Sequence, residues 1–448
     1  MTEGMAGPAT DLRGVRRRCK MGALERHELQ DFFVETTAGR DPERGLRHLL
    51  QMKLEDEPSG ELKLLVYGHG GCGKSTELVK LTEEISDSFF CVPFSVQDEM
   101  NLIDIRAEDI VLIMMEQLVS CAEKGGLEVK EADLQPIYDF FVETTKTEVD
   151  GRESAIGATG NAGVGTGFLS SIVKLLVELK SEIKLSSNQS ETRVEKVRKR
   201  PGELLAHARI LVNSVTNALP EGQRLLMIVE DLDKLDIASA RKVFIENASL
   251  LAEAPGNIIY TIPIFTFHSN DAGILRQKFS ADIALPMIKP IGMDFQRAEG
   301  FEIIREILHR RVDPSAIEED AVDLLIEKTG GVLQHAFEVL HTAASMNSAT
   351  VPLKKEHIDF GLQRKRNEFW SEIALPRPAP EDVTEEDLYD RLVEYARKQL
   401  AGEKNQPVTN EINQILLRSC ALVEYNTQRW LGVHPLVIDN LRELGRLS

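Results

Sequence analysis

The feature that most constrains this chain is the octapeptide Gly68-His69-Gly70-Gly71-Cys72-Gly73-Lys74-Ser75. It follows a short apolar run, Leu62-Lys63-Leu64-Leu65-Val66-Tyr67, with the character of a buried strand, and it precedes Ser75 to Ile85, whose apolar residues fall at helical spacing. A strand, a glycine loop and a helix in that order gather unobstructed backbone N–H groups and a helix N-terminus around an anion. Lys74 then supplies charge for β- and γ-phosphates, and the Ser75 hydroxyl a ligand for Mg²⁺. The residues expected to contact nucleotide are Gly68, His69, Gly70, Gly71, Cys72, Gly73, Lys74, Ser75 and Thr76, with ATP and Mg²⁺ as the bound species.

Such a loop needs a sheet behind it. Four further runs have strand length and β-branched or aromatic content, Phe89 to Val96, Leu225 to Val229, Asn257 to Ile264 and Ile283 to Ile288. Helical patterns separate most of them, which implies a five-stranded parallel sheet covered on both faces, an α/β fold. The interval between the second and third strands is too long for one crossover, so an insertion is expected at about 122–200. Within it Gly157, Gly160, Gly163, Gly165 and Gly167 suggest a flexible hinge, and Phe168 to Leu185 an amphipathic helix packed on the core.

A phosphate loop alone binds nucleotide; hydrolysis also needs carboxylates for the metal and the attacking water. Leu225-Leu226-Met227-Ile228-Val229-Glu230-Asp231-Leu232-Asp233 places three at the carboxyl end of a buried strand, where an open parallel sheet has its ligand crevice. Counting from the apolar run, Glu230 takes the metal side and Asp231 the base position. A register shifted by one makes Asp231 the metal-side group and Asp233 a distant base. The metal set is thus drawn from Ser75, Glu230 and Asp231.

Together GHGGCGKST and LLMIVEDLDKLD resemble the Walker A and Walker B motifs of the AAA+ and STAND group of additional-strand P-loop ATPases, including bacterial AAA-type regulatory ATPases, over roughly residues 25 to 448. The resemblance implies a P-loop ATPase core over 22–295, a helical lid over 296–375 and a winged-helix domain over 381–448. It implies that Thr261, on the fourth strand, reports the γ-phosphate, and that Arg276, ahead of the fifth, reaches a neighbouring subunit's nucleotide. It also places a lid helix at Lys328-Thr329-Gly330-Gly331-Val332-Leu333-Gln334-His335, where this sequence has Gln334 or His335 in place of the arginine such a helix often presents.

Composition limits the partners. With 53 Lys and Arg against 72 Asp and Glu the net charge is −19, which disfavours a broad electrostatic grip on nucleic acid or anionic lipid. The C-terminal helix, helix, hairpin, helix order, with its turn at Asn426-Thr427-Gln428-Arg429, is that of a winged helix, yet acidic residues outnumber basic ones from Glu381 on and the helix before the wing offers only Arg418. A protein-contact surface lacking phosphate-binding parts is therefore expected of this tail, with nucleic acid a less favoured partner. Arg193, Lys196, Arg198, Lys199 and Arg200 form a better basic patch. The five cysteines are scattered with no CxxC pair, and no apolar run approaches the ~18 residues of a membrane span, so a cytoplasmic protein is expected. Residues 1–21 are expected as a mobile arm. The sequence thus predicts an ATP-hydrolysing regulatory switch that self-associates and controls a partner protein; the alternatives are a DNA-bound assembly or loading ATPase and a nucleotide-binding scaffold with little turnover.

Overall fold

The computed structural model describes residues 7–145, 147–149, 152–154, 168–185, 194–377, 379–425 and 430–447. Five strands form the central sheet: β1 (Lys63–Gly68), β2 (Phe89–Ser95), β3 (Arg224–Glu230), β4 (Asn257–Pro263) and β5 (Ala281–Ala284). Their order is β2-β3-β4-β1-β5 and every pairing is parallel. β1, the central part of β3 and all of β4 are buried, because helices cover both faces; this is why these strands are continuous apolar runs rather than alternating ones. The fifth strand is shorter than Ile283 to Ile288 and starts earlier. Past Leu285, whose amide donates to the Tyr67 carbonyl at 2.7 Å, the chain leaves β1, and Met287 instead bridges to Tyr425 of the C-terminal hairpin.

Register sets the functional edge. Gly68 pairs with Pro263 and Ser95 with Glu230, so the carboxyl ends of four neighbouring strands lie along one rim. Helix α1 (Lys74–Glu84) leaves that rim directly behind the glycine loop. Helix α2 (Ala107–Lys124) packs under the sheet, and α3 (Phe168–Leu185), from the insertion, lies on α2. Ile172, Leu175, Leu176 and Leu179 of α3 are buried and Lys180 pairs with Glu99 and Glu116, so this amphipathic helix is a core helix. The expected glycine hinge after Gly157 lies outside the described residues. Helix α4 (Pro201–Ala218) leads into β3, and α5 (Ala272–Lys278) into β5.

Helices α6 (Glu299–His309), α7 (Glu319–Thr329), α8 (Leu333–Ala343) and α9 (Lys355–Glu372) follow the sheet. Then come α10 (Glu385–Leu400), α11 (Glu411–Arg418), the antiparallel pair β6 (Leu422–Tyr425) and β7 (Trp430–Val433), and α12 (Pro435–Glu443). The expected turn of that hairpin, 426–429, lies outside the described residues.

The segment expected as a mobile arm is corrected from residue 7 onward. Ala9 pairs in parallel with Val312, Val15 and Cys19 are buried, and the Arg16 guanidinium donates to the Ala344 carbonyl at 2.5 Å. Its basic residues mask apolar positions, Ala9, Val15 and Cys19, that pack on the α6–α8 helices. In α7 the last turn ends on Gly330 in the left-handed conformation, and Gly331 follows at φ 86°. A Cβ on Gly331 would lie 1.8 Å from the Ile288 carbonyl oxygen, so this close approach admits no side chain. We predict that Gly331→Ala lowers stability by at least about 2 kcal/mol, through both the positive φ and the backbone collision, measurable as a lower thermal midpoint; an unchanged midpoint would refute the close approach.

Candidate functional site

A cavity of about 760 Å³ opens at the carboxyl rim of the sheet. Its phosphate end is the loop after β1. Gly71 and Gly73 adopt positive φ, 71° and 101°, which turns successive amides inward ahead of α1. Gly71 also has no room for a side chain, since its Cβ would fall 2.4 Å from Gln334 Cβ at the start of α8. The loop is braced from outside by Arg40, a buried residue whose guanidinium donates to the carbonyls of Cys72 (2.6 Å) and Pro286 and to Thr36 Oγ1 (2.9 Å). Nothing in the local sequence around Arg40 signals this role.

Lys74 is buried, and its ammonium donates to the Gly68 carbonyl at 3.0 Å and the His69 carbonyl at 2.9 Å and pairs with Asp233 Oδ2 at 2.8 Å. Burial alone would lower the ammonium pKa; the Asp233 carboxylate outweighs it and leaves the pKa raised. All three donors of the ammonium are thus used. Asp233, expected from sequence at most as a distant base, faces the loop through this ion pair.

Glu230 ends β3 opposite α1 and accepts a hydrogen bond from the Ser75 side chain. Its carboxyl group is dehydrated although the residue as a whole is partly exposed, and Oε2 is buried with no hydrogen-bond partner. Burial pushes its pKa up to about 7; the Ser75 hydrogen bond opposes that, and the charges of Asp231 and Asp233 add to it. A buried, half-satisfied carboxylate beside a serine hydroxyl is the donor set that a Mg²⁺ ion completes, so these residues fit the metal. Asp231 has a left-handed backbone, φ 68°. Its carboxylate accepts from Ser95 Oγ (2.6 Å), at the end of β2, and pairs with Lys234 (2.9 Å). Ser95 escapes sequence reasoning because only the β2–β3 register brings it beside this carboxylate.

The other end of the cavity is apolar. Leu24, Phe32 and Phe33 line it from the N-terminal side, and Ile307 and Phe337 from α6 and α8, with the Arg311 guanidinium 4.8 Å from the Phe337 ring centre. Thr76 accepts the Leu24 amide at 3.2 Å, which ties this wall to α1.

Of the residues expected to contact nucleotide, His69, Cys72 and Thr261 do not line the cavity, and Arg276, expected to reach a neighbouring subunit's nucleotide, lies outside it. Thr261 is buried within β4, its hydroxyl donating to the Val229 carbonyl at 3.4 Å, and the residues lining the cavity at this strand's end are Pro263, Ile264 and Phe265. Arg276 sits on α5, half-exposed, with Nε 3.6 Å from Asp282 and its guanidinium 5.7 Å from the Phe267 ring centre. His335 is a packing residue, 3.2 Å from His434 and edge-on to Phe369.

The C-terminal tail, expected to lack phosphate-binding parts, reaches the loop. His69 is buried under it; Nε2 accepts the Glu424 amide at 2.8 Å and the ring is also hydrogen-bonded to the Leu417 backbone. Burial lowers the His69 pKa to about 4, the Glu424 charge opposing and the Lys74 charge assisting, so the ring is neutral as its acceptor role requires. Glu424 itself is fixed by His268 at 2.6 Å and by the Met287 amide, which donates to its carbonyl at 3.1 Å.

The glycine loop after β1, the carboxylates after β3 and a strand inserted between β1 and β3 are now in place. The fold is that of an additional-strand P-loop NTPase. No family model matches the chain, and no curated protein is significantly similar to it. Solved structures similar to it include the Walker-type ATPase paby2304 of Pyrococcus abyssi, at 14% identity and TM-score 0.40 over 92% of this chain and 99% of that one. Cdc6p from Pyrobaculum aerophilum is 12% identical with TM-score 0.35, covering 92% of this chain and 97% of its own. The Aeropyrum pernix Orc1 protein in complex with DNA is 12% identical with TM-score 0.36, covering 96% and 87%.

Because Asp233 both occupies Lys74 and adds negative charge at the phosphate end, Asp233→Asn is expected to bind Mg-free ADP more tightly than wild type, by about fivefold or more in calorimetry. Weaker binding would mean that Asp233 orders the loop rather than competing with the phosphates.

Proposed function

We propose that the chain is a Mg-dependent ATPase of AAA+/STAND type, a regulatory switch that controls a partner protein through nucleotide-dependent self-association. The observation that carries the reading is the pairing of Glu230, with its unsatisfied buried oxygen, and Ser75 beside a loop whose lysine is already charged and placed. Lys74 and the loop amides take the phosphates, after Lys74 exchanges Asp233 for a phosphate oxygen. Ser75 and Glu230 hold the Mg²⁺, which when bound neutralises phosphate charge. Asp231, anchored by Ser95 and Lys234, is the carboxylate that orients and polarises the attacking water. The apolar wall at Phe32 and Phe337 suits a purine base.

A DNA-loading role receives less support. Helix α11, which precedes the wing, has Asn413, Ile415, Leu416 and Leu417 buried and packs on the turn Ile264–His268. Of the basic patch, Arg198 is bidentate on Asp109 (2.9 and 2.7 Å) and Arg200 pairs with Glu203 at 2.9 Å; Arg193 lies outside the described residues. No helix among the described residues is long and apolar enough to cross a membrane.

Nucleotide binding and phosphate release test the reading. Lys74→Ala should abolish ATP binding, and Asp231→Asn should keep binding but slow turnover at least about tenfold. Wild-type turnover in Asp231→Asn would move the base role to another acid, and a wild-type protein that binds ATP without releasing phosphate would be a scaffold.

Self-association has its own test. An arginine that acts in trans must lie outside its own chain's cavity, as Arg276 does. Arg276→Ala should lower turnover, within a range of up to about 10³–10⁵ for such fingers, far more than it lowers binding. Mixed with Lys74→Ala subunits, which keep the arginine, it should recover part of the activity each lacks alone. A monomer in sedimentation with a non-hydrolysable ATP analogue, and no recovery on mixing, would rule out the trans role.

A further inference from the structure

The C-terminal module contributes a cation to the nucleotide cavity. Five cationic side chains line it: Arg40, Lys74, Lys234, Arg311 and Arg418. Four are committed. Arg40 is spent on backbone carbonyls and Thr36, Lys74 on two carbonyls and Asp233, Lys234 on Asp231 and Gln97, and Arg311 on the Phe32 and Ile307 carbonyls at the apolar end. Arg418 is exposed and makes no hydrogen bond or ion pair among the described residues. Its five N–H donors are therefore unused among the described residues, at a position on the cavity's edge.

Position assigns these donors to one part of a nucleotide. Arg418 is the last residue of α11, and α11 lies against Ile264–His268, the turn that follows β4. It thus approaches beside Pro263, Ile264 and Phe265, on the sheet rim, away from the wall made by Phe32, Ile307 and Phe337. The residue before it, Leu417, is hydrogen-bonded through its backbone to His69 of the phosphate loop, while the Glu424 amide holds the other side of the same ring. The loop and the arginine are therefore set relative to each other by one buried histidine. At the phosphate end Glu230, Asp231 and Asp233 set three carboxylates beside a terminal phosphate, so a cation additional to Lys74 and Mg²⁺ is electrostatically favoured there. Helix α8, which touches the loop through Gln334, carries no Lys or Arg to supply more.

We propose that Arg418 binds the γ-phosphate of ATP from the C-terminal module of the same chain, so that docking of this module distinguishes ATP from ADP. The proposal rests on the ATP-binding reading above. Guanidinium suits the task because its planar fork grips two phosphate oxygens at once. ADP leaves Arg418 without a phosphate partner, so the module is held through His69 in either state but gains the additional contact only with ATP.

The test uses the full chain and two probes, ADP and a non-hydrolysable ATP analogue, each with Mg²⁺, titrated by calorimetry into wild type, Arg418→Ala and Arg418→Lys. Arg418→Ala should weaken the analogue at least about tenfold and ADP less than about twofold, with Arg418→Lys between, as expected for one charge-assisted contact made only to the third phosphate. Because Arg418 is exposed, the thermal midpoint without nucleotide should not move. Equal weakening of both nucleotides, or of neither, would overturn the assignment. If wild type binds neither nucleotide, the ATP-binding reading itself falls and takes this one with it; if Lys74→Ala loses both nucleotides while Arg418→Ala changes neither, only the Arg418 assignment falls.

Discussion

One buried ammonium organises this molecule. Lys74 sits under the rim of the sheet with almost no solvent, where an unanswered charge costs several kcal/mol even after relaxation. Its answer comes from three places in the chain, the Gly68 and His69 carbonyls and the Asp233 carboxylate, which lies well beyond β1 in sequence. In this sheet Asp233 is brought there by β3, which runs parallel to β1 with β4 between them. Phosphate has no free donor on Lys74 to approach. On the reading proposed above, binding exchanges one anion for another at Lys74.

Much of the sheet was legible because both its faces are covered: β1, β3 and β4 are apolar runs with almost no polar interruption, and the loop after β1 carries its chemistry in eight consecutive residues. Glu230 and Asp231 were legible for the same reason, as carboxylates at the end of such a run. Ser95 was not, since only the Ser95↔Glu230 register brings β2 to the site. Arg40 and Arg418 carry no local pattern at all; each depends on a chain segment folding back over the rim from outside the sheet. Thr261 shows the opposite failure. Its position on β4 is the expected one, yet its hydroxyl is consumed by the Val229 carbonyl of the neighbouring strand. The N-terminal segment misled because Arg13, Arg16, Arg17 and Arg18 dominate its composition while a few small apolar contacts, at Ala9, Val15 and Cys19, decide its position.

The C-terminal module is bound into the site rather than appended to it. Tyr425 donates its hydroxyl to the Gly330 carbonyl at 2.6 Å, Pro435 lies against Gly330 and Lys328 pairs with Asp439 at 2.6 Å, so the end of α7 and the hairpin are one packed unit. Leu416, Leu417, Leu422 and Leu431 are fully buried there, and each such side chain contributes roughly 1.5–3 kcal/mol relative to exposure. Undocking the module would expose that surface and break the His69–Glu424 and His268–Glu424 hydrogen bonds.

That arrangement shortens the route by which a nucleotide could be felt at a distance. Coupling between remote sites ordinarily needs a chain of packed elements with two discrete arrangements, and the existence of such a chain has to be demonstrated. Here no chain is needed, because one residue of the phosphate loop is itself a contact of the module. Any rearrangement of His69 alters the bonds to Glu424 and Leu417 directly. A loop side chain at this position in a protein with a detached tail would be free to vary; here it must be flat, neutral and able to accept an amide hydrogen. Histidine meets all three conditions, and its burial beside Lys74 keeps it neutral.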